Sequence, residues 1–442
     1  MRNILLAATA MAVVAGSAFA QAPAPSVRPG VPSWNGAPFS GVPSTTNEPG
    51  TVQAYFRGRL FFDAAVLGDS GDRVGGNKNQ NYVIGEFARI YPSFEGTTAN
   101  GLKYGAYLEV RQNAGANGQS GNTGGATAIW RRETGYLGGS WGTVRFGNTD
   151  GALGLFQTGQ FENFGDNWNG DIPGLINTAT AVTWPFPENS GNYGDSKIVY
   201  LSPSFAGFDF GISFEPSTSG SGEGNTAAAG LGGIRVSSIS TFSATGVLKQ
   251  KDTLEVAGRY QGNLGPVALT AMAGLMTSGT VKYNGAAAAP YTIKTPFAYN
   301  FGLTAAFGGL AVGGDVYGGS VNGNGSRNTL PVRNGGKNEI AFVVGTSYAF
   351  GPWIVGASYL NEIRQGNNWQ DIGGTAATVG TMREWGIAAG GTYAWAPGAA
   401  LSLTYLYGER HQRGVNLYST TASTAGNNTH AQGVILTNLF TW

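Results

Sequence analysis

From Thr51 onward, apolar and polar residues alternate along the chain with a period of two. In "TVQAYFRGRLFFDAAVLGD" one face carries Val52, Ala54, Phe56, Gly58, Leu60, Phe62 and Ala64. The other face carries Gln53, Tyr55, Arg57, Arg59, Phe61 and Asp63. Successive side chains of a β-strand point to opposite faces, so this is the pattern of a strand with one apolar and one polar side. "GLKYGAYLEVRQ" repeats it, with Leu102, Tyr104, Ala106, Leu108 and Val110 set against Lys103, Gly105, Tyr107, Glu109 and Arg111. The alternation predicts sixteen strands, at about 51–67, 80–95, 102–113, 126–139, 142–149, 196–203, 207–215, 251–262, 266–277, 297–307, 309–319, 338–350, 352–364, 382–396, 399–411 and 430–442.

The connections sharpen the expectation. Seven are short ("GTTANG", "SWG", "SFAG", "NLGP", "FGG", "GP", "APG"), and they alternate strictly with eight long ones. That places the tight turns at one rim and the long loops at the other, as in an up-and-down membrane barrel. An open sheet in lipid would leave unpaired N–H and C=O groups at its edges, so the sheet must close. The predicted fold is all-β: a 16-stranded antiparallel transmembrane β-barrel, too wide for side chains to fill and therefore with an aqueous lumen. The barrel domain is expected over 51–442.

The third long loop, residues 150–195, is the longest irregular segment between strands. It is rich in aromatics (Phe156, Phe161, Phe164, Trp168, Trp184, Phe186), and its charges are nearly all acidic: Asp150, Glu162, Asp166, Asp171, Glu188 and Asp195. A segment this apolar needs a surface to pack on. The expectation is that it folds inward, into the lumen.

Composition fits the strands and turns. Glycine accounts for 73 of 442 residues against a usual share of about 7%. Charged residues make up only 12%, against a typical ~25%. The net charge of +1 gives no indication of a nucleic-acid partner. Residues 1–20 read as a secretory signal peptide, with Arg2, an apolar stretch from Ile4 to Ala15, and a small-x-small ending at Ala18-Phe19-Ala20 that places cleavage after Ala20. Residues 21–50 are rich in Pro, Gly and Ser and read as a periplasmic leader. No cysteine is present, so the exported chain has no disulfide to hold it.

The stretches "ARIYPSFEGTTANGLKYGAYLEVR" and "RRETGYLGGSWGTVRFGNTDG", followed by "DIPGL" and "SKIVYLSPSFAGFDFGISF", resemble the general diffusion porins of Gram-negative bacteria, most closely the alphaproteobacterial type. The final strand, ending on Phe440 and Trp442, resembles the C-terminal signal of bacterial outer-membrane barrels. The resemblance implies an outer-membrane homotrimer, in contact with outer-membrane lipid, with the third loop narrowing each pore. It implies passive diffusion of small hydrophilic solutes and ions. The Pro-rich leader departs from the family pattern.

On a barrel strand the face opposite the lipid-facing set lines the lumen. By that parity Arg57, Arg59, Arg89, Arg111 and Arg145 face inward. Arg131 and Arg132 are adjacent, so only one of them faces the lumen. An outward Leu137 favours Arg132 but also puts Glu133 outward. The expected constriction sets these arginines on the wall against Glu162, Asp166 and Asp171 on the loop, giving a transverse field across the water. Inward Tyr55, Phe61, Tyr91 and Tyr107 keep a sugar channel in view. An anion-specific channel and a non-conducting adhesin or receptor barrel compete with it. Phe62, Phe94, Trp353 and Tyr405 are expected to face outward as interfacial aromatics. No metal-ligand spacing, nucleophile elbow or cofactor motif is present, and His411 and His430 lack the partners of a catalytic site. No enzymatic role and no cofactor are expected.

Overall fold

The computed structural model describes residues 48–71, 78–112, 128–165, 167–168, 176, 180, 182–186, 195–217, 239–240, 251–279, 282–283, 294–322, 330–332, 334–366, 380–419 and 421–442. The expected signal peptide and most of the expected leader lie outside these residues. Sixteen strands form one closed antiparallel barrel. They are β1 (Val52–Asp69), β2 (Tyr82–Thr97), β3 (Lys103–Gln112), β4 (Ala128–Gly139), β5 (Gly142–Thr149), β6 (Asp195–Leu201), β7 (Phe208–Ser217) and β8 (Lys251–Leu264). The second half comprises β9 (Val267–Gly279), β10 (Phe297–Phe307), β11 (Leu310–Gly319), β12 (Glu339–Phe350), β13 (Trp353–Arg364), β14 (Met382–Ala396), β15 (Ala399–Gln412) and β16 (Asn428–Thr441). Every expected strand is present, with ends displaced by no more than two residues.

Each strand pairs with its neighbours in sequence, and β16 pairs back onto β1, with Leu60 opposite Phe440 and Ala64 opposite Leu436. The seam ends in two backbone hydrogen bonds: Gly58 N–H donates to the Trp442 carbonyl at 3.1 Å, and Trp442 N–H donates to the Gly58 carbonyl at 3.2 Å. The barrel thus has no edge to expose to lipid. Tight turns rely on glycine where the backbone needs positive φ, as at Gly265 (61°) and Gly351 (52°).

The outer face is graded along the strands. Near the turns it carries exposed Trp353, Trp395 and Trp442, with Trp353 stacked on Tyr393 at 4.4 Å. Aliphatic residues follow, including Val355, Leu403 and Leu436. Near the loops a second aromatic row runs across four strands, from Phe342 to Tyr359 (6.0 Å), Trp385 (6.3 Å) and Tyr407 (5.3 Å). Trp385 and Trp395 on β14 mark the two rows. At ordinary strand rise and tilt they stand about 26 Å apart along the barrel axis, close to the height of an outer-membrane apolar band.

The inner face is polar. It buries Arg59, Asp63, Arg89, Glu109, Glu215, Glu255, Asp315, Glu362 and Glu384, among others. The main apolar core lies on this inner side. It joins Leu153, Phe156, Phe161, Phe164, Trp168, Trp184 and Phe186 of the third long loop to wall residues such as Ile354, Leu360, Ala388 and Leu406.

Candidate functional site

Three arginines stand side by side across the first three strands: Arg59 of β1 is opposite Arg89 of β2, which is opposite Arg111 of β3. Arg57 lies two residues along from Arg59 on the same face, with its guanidinium 4.3 Å from the centre of the Tyr55 ring. Arg59 and Arg89 likewise lie over the rings of Phe61 (5.0 Å) and Phe87 (4.9 Å). Such stacking favours arginine, whose flat cation is weakly hydrated, over lysine.

A bulge decides between Arg131 and Arg132. Glu109 pairs with Arg132, but Val110 pairs with Trp130, so Arg131 is the extra residue of β4. Arg132 is buried on the inner face, while Glu133 and Leu137 are exposed on the outer one. The extra residue shifts the alternation of β4 by one position between Trp130 and Arg132.

The six wall arginines differ in their surroundings. Arg57 and Arg111 are half-exposed. Arg59, Arg89, Arg132 and Arg145 are buried. Arg89 donates to Glu109 Oε1 at 3.1 Å. Arg132 donates to the other oxygen of Glu109, and through Nη2 to Asp150 Oδ1 at 2.9 Å. Arg145 donates to Tyr107 OH and, at 2.9 Å, to Thr149 Oγ1. Glu109 thus sits between two arginines, and the Asp150 contact ties the base of the third loop to the wall. Of the loop acids, Glu162 is half-buried, and Asp166 and Asp171 lie outside the described residues.

The loop itself can be followed strand by strand. It opens with a short helix, α1 (Ala152–Phe156), whose Ala152 N–H donates to Ser213 Oγ of β7 at 3.1 Å and whose Leu153 N–H donates to Glu255 Oε2 of β8 at 3.0 Å. Thr158 then meets Thr304 of β10 at 3.2 Å, and Gln160 Nε2 donates to Asp315 of β11 at 3.0 Å. Asn163 donates to Ser347 of β12 (3.1 Å) and Asn167 to Ser358 of β13 (3.2 Å). Trp168 Nε1 donates to the Ile387 carbonyl of β14 at 3.3 Å. These contacts run over β7–β14, the arc opposite the arginine-bearing β1–β5.

Wall glycines make room for this path. Leu153 lies over Gly274, Thr158 over Gly302, Phe161 over Gly345, Phe164 over Gly356, and Trp168 over both Gly386 and Gly408. A Cβ at Gly345 would stand 2.8 Å from the Phe161 side chain, and one at Gly408 would stand 2.8 Å from the Trp168 ring, both inside contact distance. The high glycine content that pointed to turns therefore also serves the inner wall.

The far end of the loop is held by a charged cluster that sequence reasoning missed. Glu384 of β14 accepts the Thr183 N–H at 2.6 Å and the Thr183 hydroxyl at 3.3 Å. It also pairs with Arg364 of β13 and Arg410 of β15, each at 2.9 Å, and Arg364 pairs with Glu362 at 2.7 Å. Lys197 and Glu215 form a further buried pair on β6 and β7, at 3.1 Å. Inward parity alone could have picked out these residues, but their partnerships depend on cross-strand register. Among the described residues no cluster of His, Cys, Asp or Glu has the make-up of a metal site.

A wide, closed barrel with a lipid-compatible outer face and a charged inner wall defines a transmembrane channel rather than an enzyme. The chain belongs to the Gram-negative porin family, whose sequence profile matches residues 7–413. It is an outer-membrane channel protein. Among known structures, the anion-selective porin from Comamonas acidovorans is similar with a TM-score of 0.53 at 15% identity, over 89% of this chain and 100% of that one. A loop L8 deletion form of OmpT, an outer membrane protein of Vibrio cholerae, is similar with a TM-score of 0.50 at 14% identity, over 88% and 99% respectively. At these identities the likeness concerns the fold. No curated protein matches the sequence.

Proposed function

We propose that the protein is a general diffusion porin: a water-filled channel for small hydrophilic solutes and ions, with a charged constriction at the level of the third loop. The observation that carries this reading is the division of the inner wall. Six arginines cluster on β1–β5, while the loop is fastened to the opposite arc, where Arg364 and Arg410 are paired with the buried carboxylate of Glu384. A channel narrowed in this way discriminates by width and by the charges lining it. Of the six arginines on β1–β5, Arg57 and Arg111 are the half-exposed pair and the ones that meet solutes. Arg59, Arg89, Arg132 and Arg145, being covered, set the local field and hold the wall together. Glu162, Asp166 and Asp171 supply the acidic side from the loop. The resemblance to trimeric porins supports assembly as a homotrimer.

The test is conductance in a planar bilayer under a salt gradient. Stable steps in groups of three with a modest reversal potential are expected. Reversing charge with R57E and R111E should move the reversal potential toward cations. An unmoved potential would remove both from the lumen. A folded, heat-modifiable barrel without conductance would overturn the channel reading and favour an adhesin.

A further inference from the structure

The outer face at the loop ends of β14–β16 carries a patch that conduction does not use. Arg383, His411 and His430 are all exposed there, on three adjacent strands, and the two histidines are the only ones in the chain. Register places Arg383 beside His411 and His411 beside Asn428, with Trp385, Glu409 and His430 forming the next row toward the membrane. The Arg383 guanidinium and the His430 ring have no partner among the described residues. His411 Nδ1 is engaged by Asn428 Oδ1, which leaves Nε2.

The acid within the patch is Glu409, and it is held toward the aromatic row: Trp385 Nε1 donates to it at 3.2 Å, and Tyr407 OH donates to its other oxygen. Below that row the outer face steps down to small residues, exposed Ala357 and half-buried Ala389 and Gly391, set beside the larger exposed side chains of Val355, Leu403 and Tyr405. From the loop rim inward, then, the order is cationic and N–H donors, an aromatic belt, and a shallow apolar furrow. A lipid presents the complementary sequence of groups: an anionic head, an interfacial region and acyl chains.

We propose that this face binds the phosphorylated headgroup of an outer-leaflet lipid. Arg383 pairs with phosphate as a planar fork of donors, and the imidazole N–H groups of His411 and His430 donate to the same or a second phosphate. The acyl chains lie along the furrow. The loops of such barrels lie on the outer side of the membrane, so the patch meets the outer leaflet. Charge complementarity favours lipid over a second copy of the chain, which would have to bring an acidic surface to this donor-rich rim.

The test uses the full-length barrel in neutral detergent and native mass spectrometry. The probes are bis-phosphorylated lipid A, the same lipid without its phosphates, and inorganic phosphate alone. The wild-type barrel should retain the phosphorylated lipid and not the dephosphorylated one. The R383A/H411A/H430A variant should retain at least about tenfold less, the expected cost of losing charge-assisted hydrogen bonds. Heat-modifiable mobility checks that the variant is folded, and R383A alone carries the same comparison if the triple variant is not. Equal retention by variant and wild type would overturn the proposal. Full saturation by inorganic phosphate with no preference for lipid would overturn the lipid assignment. Unchanged lipid retention with loss of the oligomer would assign the face to contact between copies and equally overturn it.

Discussion

Glu384 is the most informative single position in the lumen. It is almost wholly buried, faces two guanidinium groups, and accepts two hydrogen bonds from Thr183 at the far end of the loop. The substitution Glu384→Gln keeps its size and removes its charge. Removing one partner from a buried ion pair costs about 3–5 kcal/mol. Weakening the two bonds to Thr183 adds roughly 1 kcal/mol each. Against this, the loop end is held by burial of Trp184 and Phe186, roughly 2 kcal/mol apiece. The loss, about 5–7 kcal/mol, exceeds the roughly 4 kcal/mol that remains, so E384Q should shift the loop end from docked toward released while the strand ladders keep the barrel closed. Because the chain has no cysteine, a V182C probe provides the only thiol. Val182 is buried against Gly408, so the thiol should label slowly in the parent background and at least about tenfold faster with E384Q, one decade per 1.4 kcal/mol. Single-channel records should show larger or fluctuating conductance. Equal labelling rates together with identical conductance would refute the idea that this carboxylate fastens the loop.

Three further outcomes follow from the same geometry. E109Q removes the negative charge between Arg89 and Arg132, so the reversal potential should move toward anions. G345V should push Phe161 off the wall and change conductance without lowering the heat-modifiable folded fraction, because the clash is with the loop and not with a neighbouring strand. G58V should lower the folded fraction itself, since its side chain would strike the Trp442 ring where β1 and β16 meet; gel mobility of heated and unheated samples reads this out.

The strands were legible because lipid and lumen impose opposite chemistry on alternate residues, and Val52 to Asp63 already shows that contrast. The rim assignment was legible because turn and loop lengths alternate without exception. The bulge at Arg131 was not, because a single extra residue leaves the periodicity on either side intact and shows only as a conflict between Leu137 and Glu133. The clamp of Glu384, Arg364 and Arg410 was not, because its members lie on three strands and only register brings them together. The role of Gly345 or Gly386 was hidden for a similar reason: in a glycine-rich chain, a glycine that receives an aromatic ring looks like any other until the ring's own path is known.

The path of the third loop has a consequence for the order of assembly. Past Asp150, its wall partners among the described residues come later in the chain, from Ser213 for Ala152, 61 residues on, to Thr392 for Phe164, 228 residues on. The loop is synthesised early but has nowhere to settle until β7–β15 stand side by side. Contacts of such large sequence separation form late. The β1–β16 seam joins residues still further apart, Asp63 and Thr437 lying 374 residues from one another, so the docking of the loop and the closing of the cylinder both belong to the late stage of assembly, when the second half of the wall is in place.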